Sequence, residues 1–102
     1  MPHVEPAQAL QELDLVVARV AAVEHLAGAR GHSSLLTLEL GPRGEAQAPL
    51  QLGIEEAKAL VGTQVVCAVG REDVVVLAVH SHGSGVVVVC PAHPVEDGSP
   101  VA

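Results

Sequence analysis

No phenylalanine, tyrosine or tryptophan occurs in these 102 residues. Without a ring the chain has nothing to stack on a base or a sugar, the contact that single-strand nucleic-acid binders ordinarily use. Its interior must therefore be built from Val, Leu, Ala and Ile. Positive charge is scarce too: five Lys and Arg stand against twelve Asp and Glu, a formal charge of -7. The mean field repels phosphate and excludes indiscriminate nucleic-acid binding. Any basic patch has to be assembled from Arg19, Arg30, Arg43, Lys58 and Arg71. Cysteine is limited to Cys67 and Cys90, each at or within a Val-rich run, which reads as two reduced, structural thiols. No apolar run is long enough to cross a bilayer. The first residues, Met-Pro-His-Val-Glu-Pro, have neither the basic nor the apolar region of an export signal. The expected address is the cytoplasm, with no membrane partner.

What is present suits one small β domain. Hydrophobic residues make up 49% of the chain, enough for a modest core. Pro6 to Glu12 is a short helix candidate with Leu10 and Leu13 as anchors. Leu13 to Val23 reads as a long first strand that bends, and Glu24 to Ser33, with Gly28 and Gly31, as a loop. Ser34 to Leu40 alternates cleanly, Leu36, Leu38 and Leu40 falling on one face. Gly41-Pro-Arg-Gly44 is a turn, and Glu45 to Leu52 a third strand that Pro49 marks as an edge or a bulge. Ile54 to Leu60 is a two-turn helix with Gly62 as its stop. Gln64 to Val69, Asp73 to Val79 and Gly85 to Cys90 follow as strands, the last two joined by the polar turn His80-Ser-His-Gly-Ser. A Pro-punctuated exit, Pro91 to Gly98, closes the chain.

Leu13-Asp-Leu-Val-Val-Ala-Arg-Val20, Leu60-Val-Gly62 with Val65-Val66, Val74 to Leu77, Val86 to Val89, and Pro91 with Pro94-Val95 and Gly98 resemble, in this order, the tRNA-binding-domain family. These are the small barrels of CsaA-type export chaperones, also appended to some methionyl- and phenylalanyl-tRNA synthetases. The resemblance implies an all-β fold: a five-stranded oligonucleotide-binding barrel with a short helix between strands 3 and 4, a short N-terminal helix and a C-terminal extension. It makes residues 1–8 a tail and 9–102 the domain. It also implies a non-catalytic protein that binds tRNA or another RNA in a cleft of a homodimer, paired through the region from Val86 to Val101. The CsaA branch implies instead a chaperone holding unfolded peptide. Where the family carries a basic residue and a glycine in its first strand, this chain has Val16 and Ala18. The loop between its last two core strands is shortened to Gly70-Arg-Glu-Asp73. A scaffold that no longer binds nucleic acid is the third outcome these residues allow.

Arginine forks clamp phosphates, and amides and hydroxyls read base edges, so an RNA site would need Arg19, Arg30, Ser33, Ser34, Arg43, Gln47, Gln51 and Arg71 on one face. The competing expectation is that these are scattered, solvated side chains. For peptide, the Val-rich surface offers a groove, although the same valines equally suit core or subunit contact. His80 and His82 lie two apart, and Cys90 and His93 three apart; imidazole and thiolate suit zinc, but the spacing matches no zinc module and exposed turn residues satisfy it as well. No nucleophile elbow, P-loop or His-Glu metalloprotease string occurs, which points away from an enzyme and calls for no cofactor. The runs Val74 to Val76 and Val86 to Val89 exceed what a small barrel buries, and predict self-association.

Overall fold

The structure, a computed structural model, describes residues 5–26 and 33–101. Its centre is β1, Leu15–His25. Val16, Ala18 and Val20 alternate into the core, while Leu15 and Val17 on the other side of the strand are buried too. The first half of β1 pairs antiparallel with β4, Gln64–Val69, and the second half with β2, Ser34–Glu39. A register shift between Val20 and Ala22 bends the strand between these two partners. β3, Glu45–Leu50, pairs with β2, and β5, Val74–Val76, with β4. The sheet order is β3-β2-β1-β4-β5. β3 and β5 then lie side by side across the remaining seam, so the five strands form a nearly closed barrel.

The helix between β3 and β4, α2 at Ile54–Lys58, packs against β1 and β2 and buries Ala57. Gly62 adopts φ +89 beyond it and donates its N–H to the carbonyl of Val20 at 2.8 Å. That left-handed conformation returns the chain to the sheet, and glycine reaches it without a Cβ clash. Leu36, Leu38, Val20, Val65 and Cys67 fill the aromatic-free interior. Burial of each Leu or Val side chain stabilises by about 1.5–3 kcal/mol, so a barrel this small closes on aliphatic packing alone.

The strands β2, β3 and the last one, and the helix Ile54–Lys58, end one or two residues earlier than the pattern suggests, and three boundaries differ in a way that shapes the barrel. Leu13 and Asp14 lie outside β1, because Leu13 caps α1, Pro6–Glu12, in an extended conformation with its N–H on Ala9. Glu24 and His25 belong to the strand and not to the loop, since β2 continues its ladder as far as His25. The run from Asp73 to Val79 is two strands: at Leu77 the N–H goes to Val66 at 2.9 Å and the carbonyl accepts from Val89 at 3.0 Å. Beyond Leu77 the chain leaves the barrel as a hairpin, β6, Ala78–Ser81, and β7, Gly85–Val88. Residues 82–84 make its turn, with Gly85 at φ +70. Among the described residues no helix is long and apolar enough to cross a membrane.

After β7 the chain returns along the barrel. Val66 donates to Val89 at 2.9 Å, and residues 98–101 run beside the start of β1, with Gly98 bonded to Val17, Val17 to Ser99 and Val101 to Leu15. This C-terminal strap and the turn at Gly41–Arg43 press together where Gly98 lies on the Leu40 carbonyl and Gly41 on that of Asp97. A Cβ at either glycine would collide with backbone.

Candidate functional site

Antiparallel pairing lays the outward side chains of β1, β2 and β3 in transverse rows. One row is Glu24, Leu35 and Pro49, the next Ala22, Thr37 and Gln47, the third Arg19, Glu39 and Glu45. Directly opposed side chains sit about 5 Å apart. On this face, where oligonucleotide-binding barrels hold their ligand, three carboxylates accompany one guanidinium.

That guanidinium is engaged. Arg19 donates Nε to Asp97 Oδ2 at 3.2 Å and Nη1 to the Gly62 carbonyl at 2.8 Å. Its cross-strand partner Gln64, buried, donates Nε2 to Asp97 Oδ1 at 2.8 Å and to the Val95 carbonyl at 2.6 Å, and accepts from the Val95 N–H at 3.0 Å. The Gln64 amide, and then Arg19, hold the Asp97 carboxyl below the usual carboxylate range. Arg43 is committed as well. Its two terminal nitrogens grip Asp14 at 2.9 and 2.6 Å, lowering the carboxyl and raising the guanidinium.

Of the other described residues named for RNA, Gln47 lies in the row next to that of Arg19, and the rest stand elsewhere. Ser34 is buried, its hydroxyl on the Leu52 carbonyl at 2.8 Å, and so ties β2 to the end of β3. Ser33 is half-buried next to it. Gln47 faces outward opposite Thr37, and Gln51 follows β3 at the rim of a groove. Arg71 stands exposed on the turn between β4 and β5, without an ion pair to any described residue. Arg30 lies outside the described residues. Gln64 and Asp97, which organise Arg19, were not among the sequence candidates; the Asp-Gly pair at 97–98 was the visible signal, as a turn former.

The groove lies over the seam between β3 and the β5–β6 run. It holds about 330 Å³ and is lined by Pro49, Leu50, Val76, Leu77 and Val86, with His80 and Gln51 at its rim. Among the described residues no carboxylate, lysine or arginine lines it. A second pocket of about 270 Å³ beside Arg19 includes Thr63, Cys90 and His93. Among the described residues no three His, Cys, Asp or Glu side chains come together as metal ligands. Both cysteines are free, Cys90 exposed and Cys67 buried, and burial pushes the Cys67 thiol up. On the hairpin, Val79 and Val87 face one another across the ladder at 55% and 46% exposure, and Val75 on β5 is 54% exposed.

The fold recurs in solved structures over nearly the whole chain. A chaperone CsaA from Bacillus anthracis str. Ames superposes with a TM-score of 0.80 at 21% identity, covering 98% of this chain and all of that one. This chain has the fold of the CsaA chaperones. A CsaA chaperone protein from Picrophilus torridus gives 0.81 at 19% identity over 97% of this chain and 100% of its own. A MetRS-related protein from Pyrococcus horikoshii gives 0.78 at 13%, over 99% and 100%. No protein-family model matches the chain, and no curated protein matches its sequence. The resemblance expected from the sequence is thus met at the level of the CsaA-type barrel, which does not by itself fix a ligand.

Proposed function

We propose that this chain is a non-catalytic binding protein whose ligands are extended, apolar polypeptide segments, seated in the groove between β3 and the β5–β6 run. The observation that carries this reading is the groove's lining, mostly aliphatic from Pro49 to Val86 with Gln51 and His80 among its described residues, in a molecule that spends Arg19 and Arg43 on its own carboxylates. Aliphatic walls accept varied side chains by burial of area, and backbone groups along a strand edge accept an extended main chain. Solved structures with this fold carry the name chaperone, which supports the same direction. The test is whether the purified protein suppresses aggregation of an unfolded polypeptide. Pro49→Ser with Val86→Ser is expected to weaken that binding about tenfold, from the lost aliphatic area; unchanged binding would remove the groove from the account.

A second reading, tRNA held in a cleft of a homodimer, is favoured by one feature, the exposed Arg71, which has no ion pair to any described residue. Two copies would present it twice and gain by avidity. The dimer itself we place on the hairpin, where the opposed Val79 and Val87 present an apolar patch. Sedimentation checks it: Val87→Lys is expected to give a monomer, and an unchanged dimer would move the interface elsewhere.

A further inference from the structure

β1 has two partners along its length, β4 from Leu15 to Arg19 and β2 from Arg19 to His25. On the β2 side its first four residues, Leu15 to Ala18, therefore have no described strand beside them. Residues 98–101 occupy that edge. Gly98 donates to Val17 at 2.6 Å, Val17 to Ser99 at 2.9 Å and Val101 to Leu15 at 2.9 Å, with Pro100 bridged to Val16. The strap pairs there through a single antiparallel bridge, yet it contributes nothing to the interior: neither the buried core nor the side chains packed on it include any described residue beyond Val88. What holds it is polar and local, namely Asp97 and Val95 on Arg19 and Gln64, and the fit of Gly98 against the turn at Gly41. Segments with few buried apolar contacts open at low free-energy cost while the core stays folded.

We infer that residues 95–101 are an internal occupant of a strand-addition site on β1, and that an extended segment of a bound polypeptide takes their place when the strap lifts. This rests on the reading that the ligands are polypeptides, and adds to the groove a site that recognises main chain. The strap shows what fits: an extended backbone offering a carbonyl to Val17 and an N–H to the Leu15 carbonyl, with little demand on side chains. Because ligand and strap compete, the apparent affinity is set by the fraction of molecules with the strap open.

Hydrogen exchange on the full chain tests this, with reduced, carboxymethylated α-lactalbumin as the permanently unfolded ligand. The strap amides of Gly98 and Val101 are expected to exchange about tenfold faster in the saturated complex, while Val17, handed to a new acceptor, stays protected. Strap amides equally protected with and without bound ligand would overturn the inference and leave the groove reading standing; absence of any binding would overturn both. Asp97→Asn, which removes the ion pair to Arg19 but keeps an acceptor for Gln64, is expected to bind about fivefold more tightly. Equal or weaker binding by a folded variant contradicts the inference. If the variant does not fold, exchange in the native chain decides.

Discussion

Arg19 and Gln64 face each other across the β1–β4 ladder, and both grip the carboxylate of Asp97. The pair joins the middle of the barrel to the chain's last segment, and its two members are not equivalent. Gln64 is buried with its amide fully used, whereas the Arg19 side chain is 37% exposed. Gln64→Ala leaves the Val95 N–H and carbonyl and Asp97 Oδ1 without their Gln64 partner and is expected to cost about 2 kcal/mol. Arg19→Ala, discounted for solvent screening, should cost about 1 kcal/mol or less. Urea midpoints order the two, and a larger loss at Arg19 would mean the clamp works through charge rather than through the amide.

The same clamp sets a response to acid. The Asp97 carboxyl is held below its ordinary value, first by Gln64 and then by Arg19. A depressed carboxylate contributes stability above its unfolded pKa of about 3.9, and that contribution is lost as pH falls through the lower folded value. Asp14, lowered by Arg43, titrates in the same direction. Urea midpoints are therefore expected to fall below about pH 4, and less steeply in Asp97→Asn and in Asp14→Asn than in the native chain. Identical acid slopes in all three would contradict the assignment.

Two thiols give a simple contrast. Cys90 is exposed and Cys67 lies wholly inside the barrel, its thiol pushed up by burial. A thiol reagent is expected to modify Cys90 at once and Cys67 only on unfolding. Cys67→Ser, which buries a hydroxyl among aliphatic side chains, should lose about 1–3 kcal/mol. Rapid modification of both in the native protein would show that the barrel opens at β4.

Glycines separate backbone strain from collision. Gly62 has φ +89 and open space around it, so Gly62→Ala is expected to cost about 1 kcal/mol for the left-handed conformation alone. At Gly98, φ +88 combines with the Leu40 carbonyl in the path of any Cβ. Gly98→Ala should cost distinctly more and loosen the strap, seen as faster exchange at Val101.

Much of the barrel is legible from alternation. Leu36, Leu38 and Leu40 share a face because β2 has polar residues or half-buried ones between them, and Gly62 announces the end of α2 through its fixed backbone role. The break at Leu77 is not legible, since a run of valine and leucine has no punctuation, and only the bonds to Val66 and Val89 reveal where the strand leaves the sheet. The fate of the arginines is hidden for a related reason. Arg19 meets Gln64 only once the β1–β4 register is known, and Asp14 and Arg43 are 29 positions apart. Residue type marks these side chains as able to bind phosphate, but register decides that they bind the protein's own carboxylates.

Parallel titrations with an unfolded polypeptide and with tRNA, each at low and at physiological salt, test the account most directly. It predicts that carboxymethylated α-lactalbumin binds with an affinity that salt scarcely changes, as burial of aliphatic surface requires. Binding of tRNA alone, falling steeply as salt rises, would contradict it.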